Sequence, residues 1–512
     1  MKTPILGSAY VARSVNAADN RMVNLFPEII PEGGKEPAFL NRAPGLKLLN
    51  TIGAGPVRGL WAFSPNDGVG FVVSGTQLYK INNSYTATLL GSVSGSGPVS
   101  MADNGTQLFI ACDGPSYIYN STTGAFGQIS DPDFPGAVTV AYLDGYFVFN
   151  EPNSQKMWVT QLLDGTSIEP LDFASTEGSP DGLLAVVSNF REIWAFGTNS
   201  IEVWFDSGAT DFPLQRIQGA FNELGCAAPF SIAKMDNGLF WLGRDRRGQG
   251  IVYRANGYTG QRISTHAVEW QIQQYADMSD AIAYTYQQDG HSFYVLVFPT
   301  ANTTWVYDVA TQAWHERAGW NNGSFTRHRG NCQMAFNNKI VIGDFEDGNI
   351  YAFDLDDYSD NNSIQKWLRS WRALPTGTNT LKRTTQHMLQ LDCESGVGLN
   401  GLVVNETIYL QTEVDDYLIT ESGDYLIADQ EVIATQGADP QVMLRFSDDG
   451  GHTWSNEHWT SMGKIGQYSK RVIWRRLGMT VKLRDRVYEV SATDPVKIAI
   501  MGAELILSPT NA

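Results

Sequence analysis

Cysteine is scarce in this chain of 512 residues: Cys112, Cys226, Cys332 and Cys393 lie at least 60 residues apart, with no C-x-x-C pair. That spacing gives no framework for a disulfide scaffold or a structural zinc site, and the four read as buried free thiols of a protein made in a reducing compartment. Long apolar runs are also missing. The longest, "LLAVV" and "YVLVF", are about five residues against the ~20 that cross a bilayer, so no membrane helix is expected. The N-terminus, "MKTPILGSAYVARSVN", has no apolar core of signal-peptide length before Arg13, and secretion by that route is not expected. Positive charge is short too, with 36 Lys and Arg against 54 Asp and Glu and a net charge of -18. Such a surface repels nucleic acid over most of its area, so any DNA contact must be local.

Catalytic signatures are equally thin. No H-E-x-x-H occurs among the seven histidines, and "GVGLNG" (396–401) fits G-x-G-x-x-G but opens no helix. The acidic "DLDDYSDNN" places Tyr358 where an EF-hand loop needs a third ligand. No Ser, His and Asp arrangement stands in a nucleophile motif. No catalytic, cofactor or metal residue is therefore assigned.

Turns and aromatics are abundant instead, with 50 Gly and 12% Phe, Trp and Tyr, an all-β composition. An apolar residue followed by Tyr or Trp recurs at Tyr79, Tyr119, Trp158, Trp204, Tyr253, Tyr307 and Tyr351, at spacings from 39 to 54 residues. Before each stands another apolar run across a Gly, Asn or Asp turn, as in "GFVVSG" and "LFWLG", so the unit is a hairpin. Repeats of this length with several short strands are propeller blades. Seven blade-like repeats are counted over 57–359; the uneven spacing from Trp204 to Tyr307 would allow six blades with one outer decoration. Residues 1–56, with prolines spread through "NLFPEIIPEGGKEPAFLNRAPGLKLL", read as an extended N-terminal arm. Residues 360–512 read as a C-terminal β-rich domain.

That last region carries the chain's odd chemistry. "RFSDDGGHTW" fits S-x-D-x-G-x-T-W at Ser447, Asp449, Gly451, Thr453 and Trp454, the Asp box of sialidase propellers. The box is a turn device, and one copy outside the repeats lacks the arginine cluster, tyrosine nucleophile and acid a sialidase uses. Charge is segregated around it. Residues 399–436 hold eight acids (Glu406, Glu413, Asp415, Asp416, Glu421, Asp424, Asp429, Glu431) and no Lys or Arg. Nine cations follow over 445–486: Arg445, Lys464, Lys470, Arg471, Arg475, Arg476, Lys482, Arg484 and Arg486. A further five lie in "KWLRSWRALPTGTNTLKR" (366–383) without an acid. Either these fields pair between subunits or face a phosphate backbone, or they neutralise each other within one domain. Within the acidic stretch, "DDYLITESGDYLIAD" repeats D-Y-L-I about a turn and reads as a hairpin inserted in the domain.

"VNLFPE" with Asn24, Pro27 and Glu28, then "GGK", "APGL" with Pro44 and Gly45, the seven repeats, and "RFSDDGGHTWS" through "GKIGQYSKRVIWRRLG" to "RVYEV" resemble one family over essentially the whole chain. It resembles the packaged-DNA stabilisation proteins, tail hubs or nozzles of short-tailed bacteriophages. The resemblance implies a structural protein of the virion tail, assembled in the host cytoplasm and needing no cofactor. It implies a homo-oligomeric ring, six copies in relatives, below the portal and its adaptor ring. Such a ring continues the DNA channel in transient contact with the genome, retains packaged DNA, opens at the host envelope, and carries tail fibres or tailspikes. On that reading Arg471, Arg475, Arg476, Arg484 and Arg486 are expected to face the lumen or a neighbouring subunit, and Asp415, Asp416, Glu421, Asp424 and Asp429 to form a constriction. Two other readings stand beside it: a propeller glycosidase, and a soluble propeller scaffold for protein binding. The acidic stretch 399–436 is longer than the family pattern suggests.

Overall fold

Seven antiparallel blades, six of them meanders whose strands follow chain order, form the larger part of the molecule. The structure is a computed structural model and describes residues 1–14, 18–64, 68–176, 178–179, 181–209, 212–374, 382–399, 404–409, 420, 427–433, 436–481 and 485–510. The chain divides into two compact units: Ser8–Ser14 with Ala43–Ser363, and Met1–Gly7 with Val15–Arg42 and Ile364–Ala512.

In the first unit the blades occupy 57–92, 100–128, 140–175, 183–222, 225–262, 282–316 and 330–354. All seven repeat aromatics fall on the third strand of a blade, which explains their regular recurrence. Alternation of side chains along a strand then points each one the same way. Tyr119, Trp158, Trp204, Tyr253 and Tyr307 each join a buried cluster shared with the preceding blade, and Tyr79 packs against the cluster between blades seven and one. The aromatic is thus the wedge between neighbouring sheets. The uneven spacing near Trp204 to Tyr307 has two causes. The inner strand of blade five is split into Gly225–Cys226 and Ala233–Met235 around a 3-10 turn at Pro229–Ser231, and the helix His266–Gln273 is inserted before blade six. Neither removes a blade.

Blade seven supplies only three strands from 330–354; its outer strand is Gly45–Thr51, paired antiparallel with Asn349–Asp354. The sequence reading left 45–51 in the N-terminal arm, because nothing local shows that a strand pairs about 300 residues downstream. Ile52 and Val57 then join Met334, Phe336 and Val341 in the core that links blade seven to blade one, and Asn331 Nδ2 donates to Val57 O at 2.9 Å. Gly45 is required there. A Cβ at this position would lie 2.5 Å from the carbonyl oxygens of both Asp357 and Ser359, so any side chain would push the strand off the blade.

Between blades six and seven the core is polar. The buried Arg317 guanidinium lies 5.5–5.7 Å from the ring centres of Tyr286, Phe293 and Phe353 and donates to Tyr286 Oη. His328 Nδ1 accepts from Gly330 N at 3.0 Å. Burial, with the Arg317 and Arg329 charges behind it, pushes the His328 imidazole down to about 3. Burial likewise holds His315 well below its ordinary range.

The second unit is a pair of sheets. One runs Val472–Met479, Thr384–Cys393, Ala499–Pro509, Ala38–Arg42, Leu25–Ile29, with Lys2–Thr3 also on Ala499–Pro509; in the other Met22–Val23, Trp367–Arg372, Val487–Ala492, Gln441–Ser447 and His458–Ser461 are successive neighbours. Tyr488 Oη donates to Gln386 Oε1 across the two at 3.1 Å. Within the expected extended arm, Leu25–Ile29 and Ala38–Arg42 pair as a hairpin of this sheet, with Leu25, Phe26 and Leu40 buried. Pro27 is tolerated because Leu25–Ile29 ends the strand order, where a missing N–H leaves no ladder bond unmade. Among the described residues no helix is long and apolar enough to cross a membrane.

Two outcomes follow. Leu46→Ala, at a fully buried position of the closing strand, lowers unfolding free energy by about 2–4 kcal/mol in denaturant titration. Neutral His328 binds fewer protons folded than unfolded, so stability falls as pH drops from 6.5 toward about 3. The thermal midpoint declines across that window, and His328→Asn, which keeps an acceptor near Nδ1, flattens the decline.

Candidate functional site

The Asp box lies between Gln441–Ser447 and its antiparallel neighbour His458–Ser461. Asp449 Oδ2 accepts from Thr453 Oγ1 at 2.6 Å, and Oδ1 accepts from Ser447 Oγ at 2.7 Å and from the His452 and Thr453 amides at 2.9 Å. Ser447 Oγ in turn accepts from Gly451 N at 2.8 Å. These bonds, the Thr453 hydroxyl first, hold the exposed Asp449 carboxyl well below the usual carboxylate range. Trp454 is half-buried under the Arg445 guanidinium, 4.9 Å from its ring centre, and Arg445 Nε donates to Glu489. The Ser447, Asp449 and Thr453 side chains are bonded to one another and to the amides of their own turn, which shapes a hairpin.

The five candidate arginines separate. Arg471, Arg475 and Arg476 are exposed on or beside Val472–Met479, the edge strand of its sheet. There a bulge sets Arg476 and Leu477 against the single residue His387, and Arg476 takes a left-handed φ of 59°. Arg471 donates to Gln390 Oε1. With Lys464 and Lys470 they form, among the described residues, a cationic ridge without an ion pair. Arg484 lies outside the described residues. Arg486 is corrected: it is 2% exposed and faces neither a lumen nor a partner. Its Nε and Nη2 bond the two carboxylate oxygens of Asp448 at 2.7 and 2.8 Å, Nη1 donates to Leu477 O at 2.6 Å, and the guanidinium stacks 4.0 Å over Phe446. Neutralisation within one unit holds for Arg486, Arg445 and also Arg372, paired with Asp485 at 2.6 Å.

Of the acidic candidates, Asp415, Asp416, Glu421 and Asp424 lie outside the described residues, as does most of the "DDYLITESGDYLIAD" hairpin. The strands Val404–Tyr409 and Ile427–Ile433 pair antiparallel, with Asp429 opposite Ile408.

Two arginines organise the unit: Arg369, counted within 366–383 but given no role there, and Arg42, outside the counted stretches. Arg369, fully buried, donates to Ile5 O and Gly7 O at 2.7 Å and to Arg21 O at 3.4 Å; burial pushes it down to about 9, still protonated at neutral pH. Arg42 donates to Gln365 O at 2.5 Å, Asp494 O at 2.5 Å and Val496 O at 2.8 Å. A signal existed for Arg369: in "WLRSWR" it alternates with Trp367 and Trp371, so the pleat puts it on their face. The thiols are poor nucleophiles, since burial pushes Cys112 and Cys226 up to about 11 and Cys332 and Cys393 up to about 12. Among the described residues no group of three or more His, Cys, Asp or Glu is placed to hold a metal.

A propeller followed by a sandwich of this kind has a counterpart among known sequences. The family described as "Bacteriophage P22 Gp10, beta-propeller" matches residues 1–358, and that described as "Bacteriophage P22 Gp10, beta-sandwich" matches 407–507. The chain belongs to the phage P22 Gp10 family. Within it, the tail hub protein gp10 of Salmonella phage P22 is 22% identical over 450 residues, covering 83% of each chain. Among solved structures, a computationally designed protein is 15% identical over 65% of this chain and 99% of its own, with a TM-score of 0.37. The Pan2 WD40 domain of Neurospora crassa is 9% identical over 60% of this chain and 95% of its own, with a TM-score of 0.39.

The two classes of arginine separate in a stability measurement. Arg486→Ala strands a carboxylate beneath Phe446 and costs about 3–5 kcal/mol, whereas Arg475→Ala stays within about 0.5 kcal/mol of the parent, as exposed sites do. Equal losses at both would contradict this division.

Proposed function

We propose that this chain is a tail hub: a non-enzymatic structural protein, copies of which form a hexameric ring below the portal and its adaptor. The ring continues the DNA channel, retains the packaged genome, opens at the host envelope, and offers its flank to tail fibres or tailspikes. Assembly takes place in the host cytoplasm, and the finished location is the virion tail. The family match across both propeller and sandwich carries this reading. The unpaired ridge of Lys464, Lys470, Arg471, Arg475 and Arg476 supports a local phosphate contact in a chain of net charge -18. The glycosidase reading loses its one motif, because the Asp box is consumed by its own turn.

Quantitative mass spectrometry of purified particles, counting this chain against the portal, tests the proposal. The expected ratio is half as many copies as portal subunits, and absence from particles would discard it.

A further inference from the structure

Two neighbouring turns on one face of the propeller carry residues that their backbone conformation disfavours. The hairpin of the two inner strands is closed by a two-residue turn with both residues left-handed in blades three, five, six and seven: Asp144-Gly145, Asp236-Asn237, Asp289-Gly290 and Asn337-Asn338. Asn, Asp and Gly are the residues such turns select, because a bulky side chain clashes at positive φ. Blade four closes the same turn with Phe190 (φ 51°) and Arg191 (φ 62°). Beside it, Leu162-Leu163 tops a turn bridged by Gln161 and Asp164, and Leu163 is again left-handed, φ 61°.

None of these side chains is core. Phe190, Leu162 and Leu163 are 59%, 58% and 61% exposed, and the Arg191 side chain 81%. The two turns are joined. Leu163 N donates to Gly145 O at 2.8 Å, and Arg191 Nη2 reaches Asp144 Oδ1 at 2.8 Å, across an open concavity floored by Tyr142. Local strain that gives the fold no burial in return points to an external contact.

The geometry points to a docking surface: we infer that Phe190, Leu162 and Leu163 seat a different protein, one whose apolar anchors are flanked by Lys or Arg. The rim decides the occupant. Asp144, Asp164 and Asp206 border the apolar tips, while Arg191, the one bordering cation among the described residues, is already bonded to Asp144. A segment with Lys or Arg beside apolar residues complements that rim, and a second copy of a chain with net charge -18 offers such a segment over 464–476 but brings like charge over most of its surface.

The test uses the full chain with p-benzoylphenylalanine at Leu162, irradiated in particles or wherever the chain is recovered from infected cells. Absence from particles then overturns the tail reading while the crosslink still decides this one. The expected product joins a different protein at a segment with Lys or Arg beside apolar residues. A crosslink to a second copy, or none while the label is present, overturns the inference. Phe190→Asn/Arg191→Gly installs the turn chemistry of the other blades. It raises the thermal midpoint of the purified chain and cuts the Leu162 crosslink at least tenfold. An unraised midpoint refutes the strain argument, and an undiminished crosslink refutes the site. Arg191→Gly alone gives the same two readouts if the double variant misfolds.

Discussion

The pairing of Gly45–Thr51 with Asn349–Asp354 is the constraint on which the molecule turns. Six blades are complete within their own stretch of chain, but the seventh has an open edge until the N-terminal strand is laid on it. An exposed edge is a template for aggregation, and a ring removes that hazard only when it closes. Closure also fixes where the chain enters and leaves. The segments on either side of the propeller, Met1–Gly7 with Val15–Arg42 and Ile364–Ala512, fold together as one unit. Arg42, the last residue before the crossing into the propeller, donates to the Gln365 carbonyl, the second residue after the return.

Buried cations fix the placement of the N-terminal segments. Removing a guanidinium from water costs several kcal/mol unless its donors are all answered. Arg369 meets that cost with three carbonyls from Ile5, Gly7 and Arg21, a set that exists only when 1–7 and 15–42 are in place. Arg486 does the same for the sandwich edge, holding Asp448 at the mouth of the Asp box and the carbonyls of Leu477 and Met479. These residues specify which strands neighbour one another; they are not available for ligands.

The blades were legible in the sequence because their aromatics mark one strand position, the third, in every repeat. The closing strand was not, since "GLKLLNT" pairs with a partner nearly three hundred residues away and carries no local sign of it. The turns were legible from Asn, Asp and Gly; Phe190-Arg191 broke that rule and hid a turn identical to its neighbours. At the candidate site, charge counting could not tell Arg475 from Arg486. Both stand in basic runs, and the difference lies in the pleat and in Asp448, some forty residues upstream, to which nothing in the run points.

Placement of charge bears on the proposed role as a DNA channel. Each phosphate neutralised adds affinity through counterion release, and contacts accumulate as powers of the salt concentration. A lumen lined throughout by cations would therefore hold a genome too tightly to release it. In the second unit several cations are withdrawn: Arg42 and Arg369 are sealed among carbonyls, and Arg372, Arg445 and Arg486 are matched to acids. Among the described residues, the exposed cations Lys464, Lys470, Arg471, Arg475 and Arg476 of 464–476 make no ion pair. If the proposed ring turns that ridge toward its lumen, it repeats once per subunit as a narrow collar of positive charge. A collar holds DNA at one level and resists its passage at no other, which is the electrostatic requirement for a channel that must first retain and then release.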